Sequence, residues 1–294
     1  MENDNKENLK RPDWIRVTSS FSNGFSDTLN VIKKSGVNTV CEEALCPNIG
    51  ECWKNKTATF LIMGDTCTRM CGFCNIKTGC PGKLDEKEPE KVAESVKELD
   101  IKYAVITSVT RDDLKDGGAL HFANVIKKIK EVNPDIKVEI LTSDFQGNED
   151  SIRTIIDANP DVFGHNMEIV RRLHKTVKKP PADYDISLDF LKKIKKIDPN
   201  MITKTGMMVG VGEIKDDVLE LIDDAVNSKV NIISIGQYLT PSTSHYPIVR
   251  YVTPEEFDEY REYGEKFGIR VVSGPLVRSS YKARETYNTL CHLR

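Results

Sequence analysis

The sequence predicts an α/β fold built on a parallel sheet. Strand-like and helix-like segments alternate six times along the chain. The strand-like runs are short and apolar throughout, without an in–out alternation. The chain has 294 residues, a length that suits one strand–helix barrel or open sheet. Alternation argues for parallel βαβ units, and strands that are apolar at every position belong in a sheet covered on both faces. Pattern alone does not separate a barrel from an open sheet.

The first forty residues read as an irregular amphipathic extension, with Trp14 and Phe25 as isolated aromatics. Residues 41–52 read as a cysteine-rich loop broken by Pro47 and Gly50. A strand is expected at 59–63, then a second cysteine-rich loop at 67–82. Helical spacing of Val92, Val96 and Leu99 places a helix at 88–99, and strand 103–109 follows. Val125, Ile126 and Ile129 share one face of a helix at 119–132, before strand 138–142. Helix 149–158, strand 162–166, lysine-decorated helix 188–197, strand 203–211, helix 216–228 and strand 232–239 complete the rhythm. Thr253 as N-cap and Pro254 at the first helical position start a helix at 254–267. A short strand at 270–273 closes the series.

Apolar residues make up 39% and charged residues 30%, an ordinary globular balance. The net charge of -3 and pI near 6.0 lack the basic excess of a nucleic-acid binder. No apolar run approaches the ~20 residues a bilayer requires, and residues 1–10 are polar, so neither a membrane span nor a secretory signal is expected. Eight cysteines in a large chain of this kind point to metal or redox chemistry in a reducing compartment, cytoplasm or mitochondrial matrix, over a disulfide framework. Lysine pairs recur at 127–128, 178–179, 192–193 and 195–196. They read as solvated helix faces, or in a sharper reading as a basic patch that docks an acidic protein.

The strongest chemical signal is Cys67-Thr-Arg-Met-Cys71-Gly-Phe-Cys74. Each iron of a cubane cluster wants a ligand, so three cysteines leave one iron open to chelate something else. A zinc site would want four ligands from paired units, and no histidine sits in this loop. Just upstream, Cys41, Cys46 and Cys52 form a second triplet that implies a second cluster.

The first triplet, with Phe73 at its hydrophobic position, resembles the signature of the radical S-adenosylmethionine superfamily. The upstream triplet together with Arg278-Ser-Ser-Tyr281 resembles the lipoyl synthases within it. Further stretches match: Arg11-Pro-Asp-Trp14, Thr107 to Asp113 with Asp116-Gly-Gly118, Gly164-His-Asn-Met-Glu168, Gly206 to Glu213, and Gly236 to Pro241. Thr110 departs from the aspartate common in the family. The resemblance implies a partial (β/α)6 barrel over 56–275, an N-terminal extension 1–55 carrying three auxiliary-cluster cysteines, and a closing C-terminal tail 276–294. It implies two [4Fe–4S] clusters, one on Cys67, Cys71 and Cys74, the other on Cys41, Cys46, Cys52 and Ser280, with Ser279 as the alternative fourth ligand.

The implied reaction inserts two sulfur atoms at C6 and C8 of a protein-bound octanoyl-lysine, with two S-adenosylmethionine and sulfide from the auxiliary cluster. Implied partners are an octanoylated lipoyl-carrier domain (2-oxoacid dehydrogenase E2 or glycine cleavage H-type protein), a flavodoxin or ferredoxin, and an iron–sulfur carrier protein. No catalytic side chain beyond the cluster ligands is needed. Candidate cofactor contacts are Phe73, Thr107 and Ser108 at the second strand's end, Asn166 and Glu168 at the fourth, and Gly210, Gly212 and Glu213 in the Gly-Val-Gly-Glu turn, where glycine permits close backbone approach. Strand C-termini are where parallel barrels carry their sites. His165 reads as structural, Met207 and Met208 as core, and Cys80 and Cys291 as thiols outside both triplets. Two competing readings stay open: a radical enzyme with an electron-transfer cluster, which would favour all-cysteine ligation over Ser280, and a zinc-binding interaction module.

Overall fold

The computed structural model describes residues 9–16 and 23–292. The expectations for residues 1–8, 17–22 and 293–294 lie outside them. Helix α1 (Asn23–Ser35) leads into β1 (Asn38–Thr39) and two short helices, α2 (Val40–Glu43) and α3 (Ile49–Lys54). Strand β2 (Thr59–Ile62) follows, then the small strands β3 (Thr66–Cys67) and β4 (Lys77–Thr78). The repeating part runs α4 (Glu88–Glu98), β5 (Tyr103–Ser108), α5 (Ala119–Val132), β6 (Lys137–Leu141), α6 (Glu149–Asp157) and β7 (Val162–Gly164). It continues with α7 (Arg171–Val177), α8 (Tyr184–Ile197), β8 (Ile202–Val209), α9 (Lys215–Asn227), β9 (Ile232–Gln237), α10 (Pro254–Glu265), β10 (Arg270–Gly274) and α11 (Ala283–His292).

The main sheet has eight strands in the order β1-β2-β5-β6-β7-β8-β9-β10. All neighbours from β2 to β10 pair parallel, and only β1 runs antiparallel, on β2. β1 and β10 end the sheet without meeting, so the barrel is partial. Strand order follows chain order because each helix carries the chain back along one face. The strands are buried nearly throughout, as their apolar runs require. Phe122, Phe145, Phe163 and Phe190 pack edge to face between sheet and helices, with centroids 5.8–6.5 Å apart.

Four sequence expectations change. Residues 23–35 form a helix, and Phe25 is not isolated: its ring lies 5.3 Å from that of fully buried Trp53. Residues 41–43 and 49–52 belong to the short helices α2 and α3, and only 44–48 between them, with Cys46 and Pro47, stays a turn. Thr39 caps α2 by accepting from the Glu42 amide at 3.3 Å, while its hydroxyl donates to the Glu42 carboxylate at 3.1 Å. Helices α7 and α11 join the expected set. The lysine pairs are not uniformly solvated: Lys178 is buried, Lys193 donates to Gly147 O, and Lys195 donates to Met201 O and Asn231 Oδ1. No helix among the described residues is long and apolar enough to cross a membrane.

Candidate metal and cofactor site

The first cysteine loop leaves the C-terminal end of β2 and is fastened on three sides. β3 and β4 bracket it, with the Gly79 amide donating to Cys67 O at 3.0 Å. Thr68 grips the end of β5: its amide and hydroxyl both donate to Thr110 O, and its hydroxyl accepts from the Asp112 amide. Position 110 is held here through its backbone. Gly72 sits between two segments, donating to Val177 O at 2.9 Å and accepting from the Tyr246 amide at 2.7 Å. A Cβ there would lie 3.0 Å from Val177 O.

Arg69, inside the motif, is 8% exposed and makes paired bonds to Asp112 (2.7 and 2.9 Å) and Asp144 (2.7 and 2.6 Å). Burial would raise the Asp144 carboxyl, but the Arg69 hydrogen bonds hold it well below the usual carboxylate range. The guanidinium locks the loop to the ends of β5 and β6.

The second triplet hangs on α2 and α3. The Cys46 amide donates to Cys41 O, and the Cys52 amide to Asn48 O. Asn48 also donates to Leu276 O at 2.7 Å, and Tyr281 OH lies 3.3 Å from the Glu51 carboxylate. These bonds join the cysteine turns to the C-terminal tail across more than 200 residues of sequence.

A cavity of about 630 Å³ opens between them, within the usual range for small-molecule sites. Its lining includes Cys41, Cys46, Cys52, Cys74, Ser279 and Ser280, with Phe73, Thr107, Asn166 and Glu168. Cys67, Cys71, Ser108, Gly210, Gly212 and Glu213 do not line it. Glu213 is buried, and its carboxylate accepts from the Gly210 and Val211 amides at 2.6 and 2.9 Å. Gly210, at φ +96, packs against Gln237: a Cβ would lie 2.0 Å from its Nε2. Gly212 also has positive φ, at +107. This turn supports the wall from behind.

Asn166 Nδ2 bridges the Glu168 carboxylate (2.9 Å) and Ser279 Oγ (2.6 Å), while Asn166 Oδ1 is buried with no partner among the described residues. Glu168 has φ +69, a conformation costly for a side-chain-bearing residue and characteristic of functional sites. Water reaches it through the cavity, yet atoms pack closely around it, and desolvation pushes its carboxyl up. Thr107 donates its hydroxyl to Leu141 O at 2.9 Å, so that oxygen is left to accept. His165, expected to be structural, donates from Nδ1 to Thr142 O at 2.9 Å and packs its ring on Phe190, while Nε2 is buried with no partner among the described residues; burial lowers the ring to about 4.

Burial keeps the thiols of Cys41, Cys52, Cys71 and Cys74 in their neutral form until a cation meets them. Burial raises Cys41 to about 11, Cys52 to about 12, Cys71 to about 11 and Cys74 to about 12, and raises Cys46 as well. Such groups ionise when a cation meets them, and ligation releases their protons. Cys67 Sγ already accepts from the Arg69 and Thr110 amides at 3.4 and 3.3 Å, the bonds that tune cluster thiolates. Among the described residues no three His, Cys, Asp or Glu side chains close on a single-ion site. A cubane cluster spreads its ligands over separate irons. The unpartnered Asn166 Oδ1 and the raised Glu168 carboxyl suit a ligand that brings hydroxyl donors.

Sequence reasoning missed Asn48, Arg69, Lys178 and the role of Arg278, a largely enclosed cation that lines the cavity near Cys46. The arginine within the cysteine motif was visible, but its partners lie on other strands.

A profile of the Radical SAM superfamily matches residues 61–225. The chain is 51% identical over 278 residues to the lipoyl synthase of Caldicellulosiruptor saccharolyticus, covering 94% of this chain and 97% of that one. It is 49% identical over 287 residues to the lipoyl synthase of Caldicellulosiruptor bescii, covering 97% and 98%. Its fold is similar to the FeFe-hydrogenase maturase HydG of Carboxydothermus hydrogenoformans, at TM-score 0.60 and 12% identity, over 90% of this chain and 68% of that one. The two cysteine triplets, the serine-bearing tail and the matches over nearly the full length agree, and the chain belongs to the lipoyl synthases of the radical S-adenosylmethionine superfamily.

Proposed function

We propose that Cys67, Cys71 and Cys74 hold the [4Fe–4S] cluster that engages S-adenosylmethionine, and that Cys41, Cys46, Cys52 and Ser280 hold the auxiliary [4Fe–4S] cluster. The enzyme is a radical S-adenosylmethionine sulfurtransferase that inserts two sulfur atoms, at C6 and C8, into an octanoyl group carried on a lysine of a lipoyl-carrier domain. When bound, the first cluster and S-adenosylmethionine supply the radical that removes hydrogen, and the auxiliary cluster supplies the sulfide. The observation that carries the assignment is that residues from 41–52, 73–74 and 279–280 line one cavity.

The chain's own residues position and exclude. Phe73, Thr107, Asn166 and Glu168 orient S-adenosylmethionine, with Asn166 and Glu168 accepting from ribose hydroxyls, while Ser108, off the cavity lining, supports the strand end behind Thr107. Gly210, Gly212 and Glu213 keep the wall behind them in shape. Leu239, Pro241 and Tyr238 add apolar lining that keeps water from the reacting carbon. Alignment of that carbon with the radical is the main catalytic contribution of the protein. The division into an extension 1–55, a barrel 56–275 and a tail 276–294 accords with the Asn48–Leu276 and Glu51–Tyr281 bonds, which join the two outer parts over the barrel mouth.

Exposed Lys192 and Lys196 on α8 favour an acidic carrier, the 2-oxoacid dehydrogenase E2 or the glycine cleavage H-type protein. The low-potential reductant is a flavodoxin or ferredoxin, and an iron–sulfur carrier protein rebuilds the auxiliary cluster. The eight unbridged cysteines suit the cytoplasm. Ser280 is preferred to Ser279 because the Ser279 hydroxyl already accepts from Asn166. Ser280→Ala is expected to abolish sulfur insertion while 5′-deoxyadenosine still forms, and Ser279→Ala to retain insertion. The reverse pattern would overturn the ligand assignment.

A further inference from the structure

Lys178 follows the last residue of α7, its amide donating to His174 O at 2.8 Å. Its side chain turns inward and is 7% exposed. Among the described residues, Nζ makes one long hydrogen bond, 3.4 Å to Asn166 O, and no carboxylate stands within ion-pair distance. A buried ammonium without an anion is costly, so its surroundings call for negative charge. The residue before it, Val177, accepts from the Gly72 amide at 2.9 Å, which sets Lys178 beside the Cys71 turn, and the bond to Asn166 O sets it beside Glu168; His165 and His174 feel its charge as well. Burial lowers both histidines to about 4, so they bring no charge near neutrality. That leaves Cys71, next to the Gly72–Val177 bond, and Glu168, two residues beyond Asn166, as the acidic groups on its side of the site.

We propose that Lys178 is the fixed countercharge of the first cluster, a positioning residue that eases its reduction from the Cys71 side. Reduction adds one electron, taken from the low-potential protein reductant, to a cluster already made anionic by three thiolates. No bond forms or breaks in that step. A cation held at fixed distance in a dry site stabilises the more negative state, and net charge is one of the main determinants of cluster potential. The proposal rests on assigning that cluster to Cys67, Cys71 and Cys74.

The test uses holoenzyme with both clusters, titrated reductively under anaerobic conditions and followed by EPR. The cluster whose spectrum responds to S-adenosylmethionine is the first. Lys178→Met and Lys178→Gln remove the charge, and Lys178→Arg retains it. In the neutral variants the reduction equilibrium of the responsive cluster is expected to move at least tenfold toward the oxidised form, about 59 mV for one electron. The auxiliary cluster should stay in place, iron content should be full, and arginine should restore most of the shift. An unmoved potential at full iron content would overturn the proposal. Loss of the responsive cluster in both neutral variants would overturn it too, because Lys178 would then be structural. Cys71→Ala separates the underlying assignment: a responsive signal that survives this change sinks the assignment, whereas its loss leaves the Lys178 result to stand or fall alone.

Discussion

At Gly236, on β9, the tail packs directly against the sheet. The glycine's φ is not in the left-handed region, so the backbone accepts alanine and the effect of Gly236→Ala is steric. A Cβ there would lie 2.1 Å from Val277 O and 3.0 Å from Val277 C. Ordinary contact begins near 3.4 Å, so the tail must retreat by about 1.3 Å. β9 is held by parallel neighbours on both sides, while the tail is held by isolated bonds such as Asn48 to Leu276 O at 2.7 Å. The tail therefore gives way, and the overpacking costs about 1–3 kcal/mol of stability. Ser280 lies three residues beyond Val277 and moves with it. A displacement of about 1 Å at a reacting centre can cost about 100-fold in rate. Gly236→Ala is thus expected to lower single-turnover sulfur insertion by about 10- to 100-fold. It should also leave the auxiliary cluster short of iron, with the first cluster intact. Iron analysis and mass spectrometry of an octanoyl-lysine peptide measure both. Full loading, about eight irons per chain in two cubanes, together with an unchanged rate, would refute the argument that this glycine sets the position of the tail.

Arg69→Met leaves Asp144, 2% exposed at its side chain, buried without its cation, and should destabilise the apoprotein by about 3–5 kcal/mol in denaturant unfolding. The pH dependence has a definite sign. In the parent the depressed Asp144 carboxyl contributes stability above its unfolded pKa, near 4, and this is lost as pH falls through the lower folded value. In the variant, burial alone raises the carboxyl, so protonation relieves the fold and the deficit should narrow between pH 7 and pH 4; a constant deficit would show that charge is not the cause. Lys192→Glu with Lys196→Glu should slow reaction with a folded acidic carrier domain and flatten its salt dependence, with little effect on a short peptide substrate. Equal slowing with the peptide would mean the fold was damaged, not the docking.

Much of the barrel was legible because parallel strands buried on both faces leave continuous apolar runs, as at 103–109 and 232–239. The helices at the ends were missed although their signals exist. Phe25, Thr28 and Ile32 share a face of α1, and Ala283, Thr286 and Leu290 a face of α11, but three contacts each compete poorly with polar surroundings. The T-x-x-E capping pattern at Thr39 to Glu42 marks the start of α2, but the helix is four residues long and ends shortly before Pro47 and Gly50, which read as loop breakers. The two triplets stand out in the sequence because their spacing is local, and the structure places Cys41, Cys46, Cys52 and Cys74 on one cavity. Asn48 on Leu276, Arg69 on Asp144 and the inward turn of Lys178 were not legible in the sequence, because each depends on chain segments that meet only after folding. Gly210 shows the same limit: the sequence suggests a close approach to ligand, but its near neighbour is the side chain of Gln237.

The most direct test of the account is an anaerobic single turnover. Reconstituted protein is mixed with S-adenosylmethionine, reductant and an octanoyl-lysine peptide, with isotopically labelled sulfide confined to the auxiliary cluster. Labelled sulfur in the peptide, formed with 5′-deoxyadenosine and with loss of the Cys41–Cys46–Cys52–Ser280 cluster, is the expected result. Deoxyadenosine without sulfur in the peptide, or sulfur gain while that cluster stays whole, would contradict it.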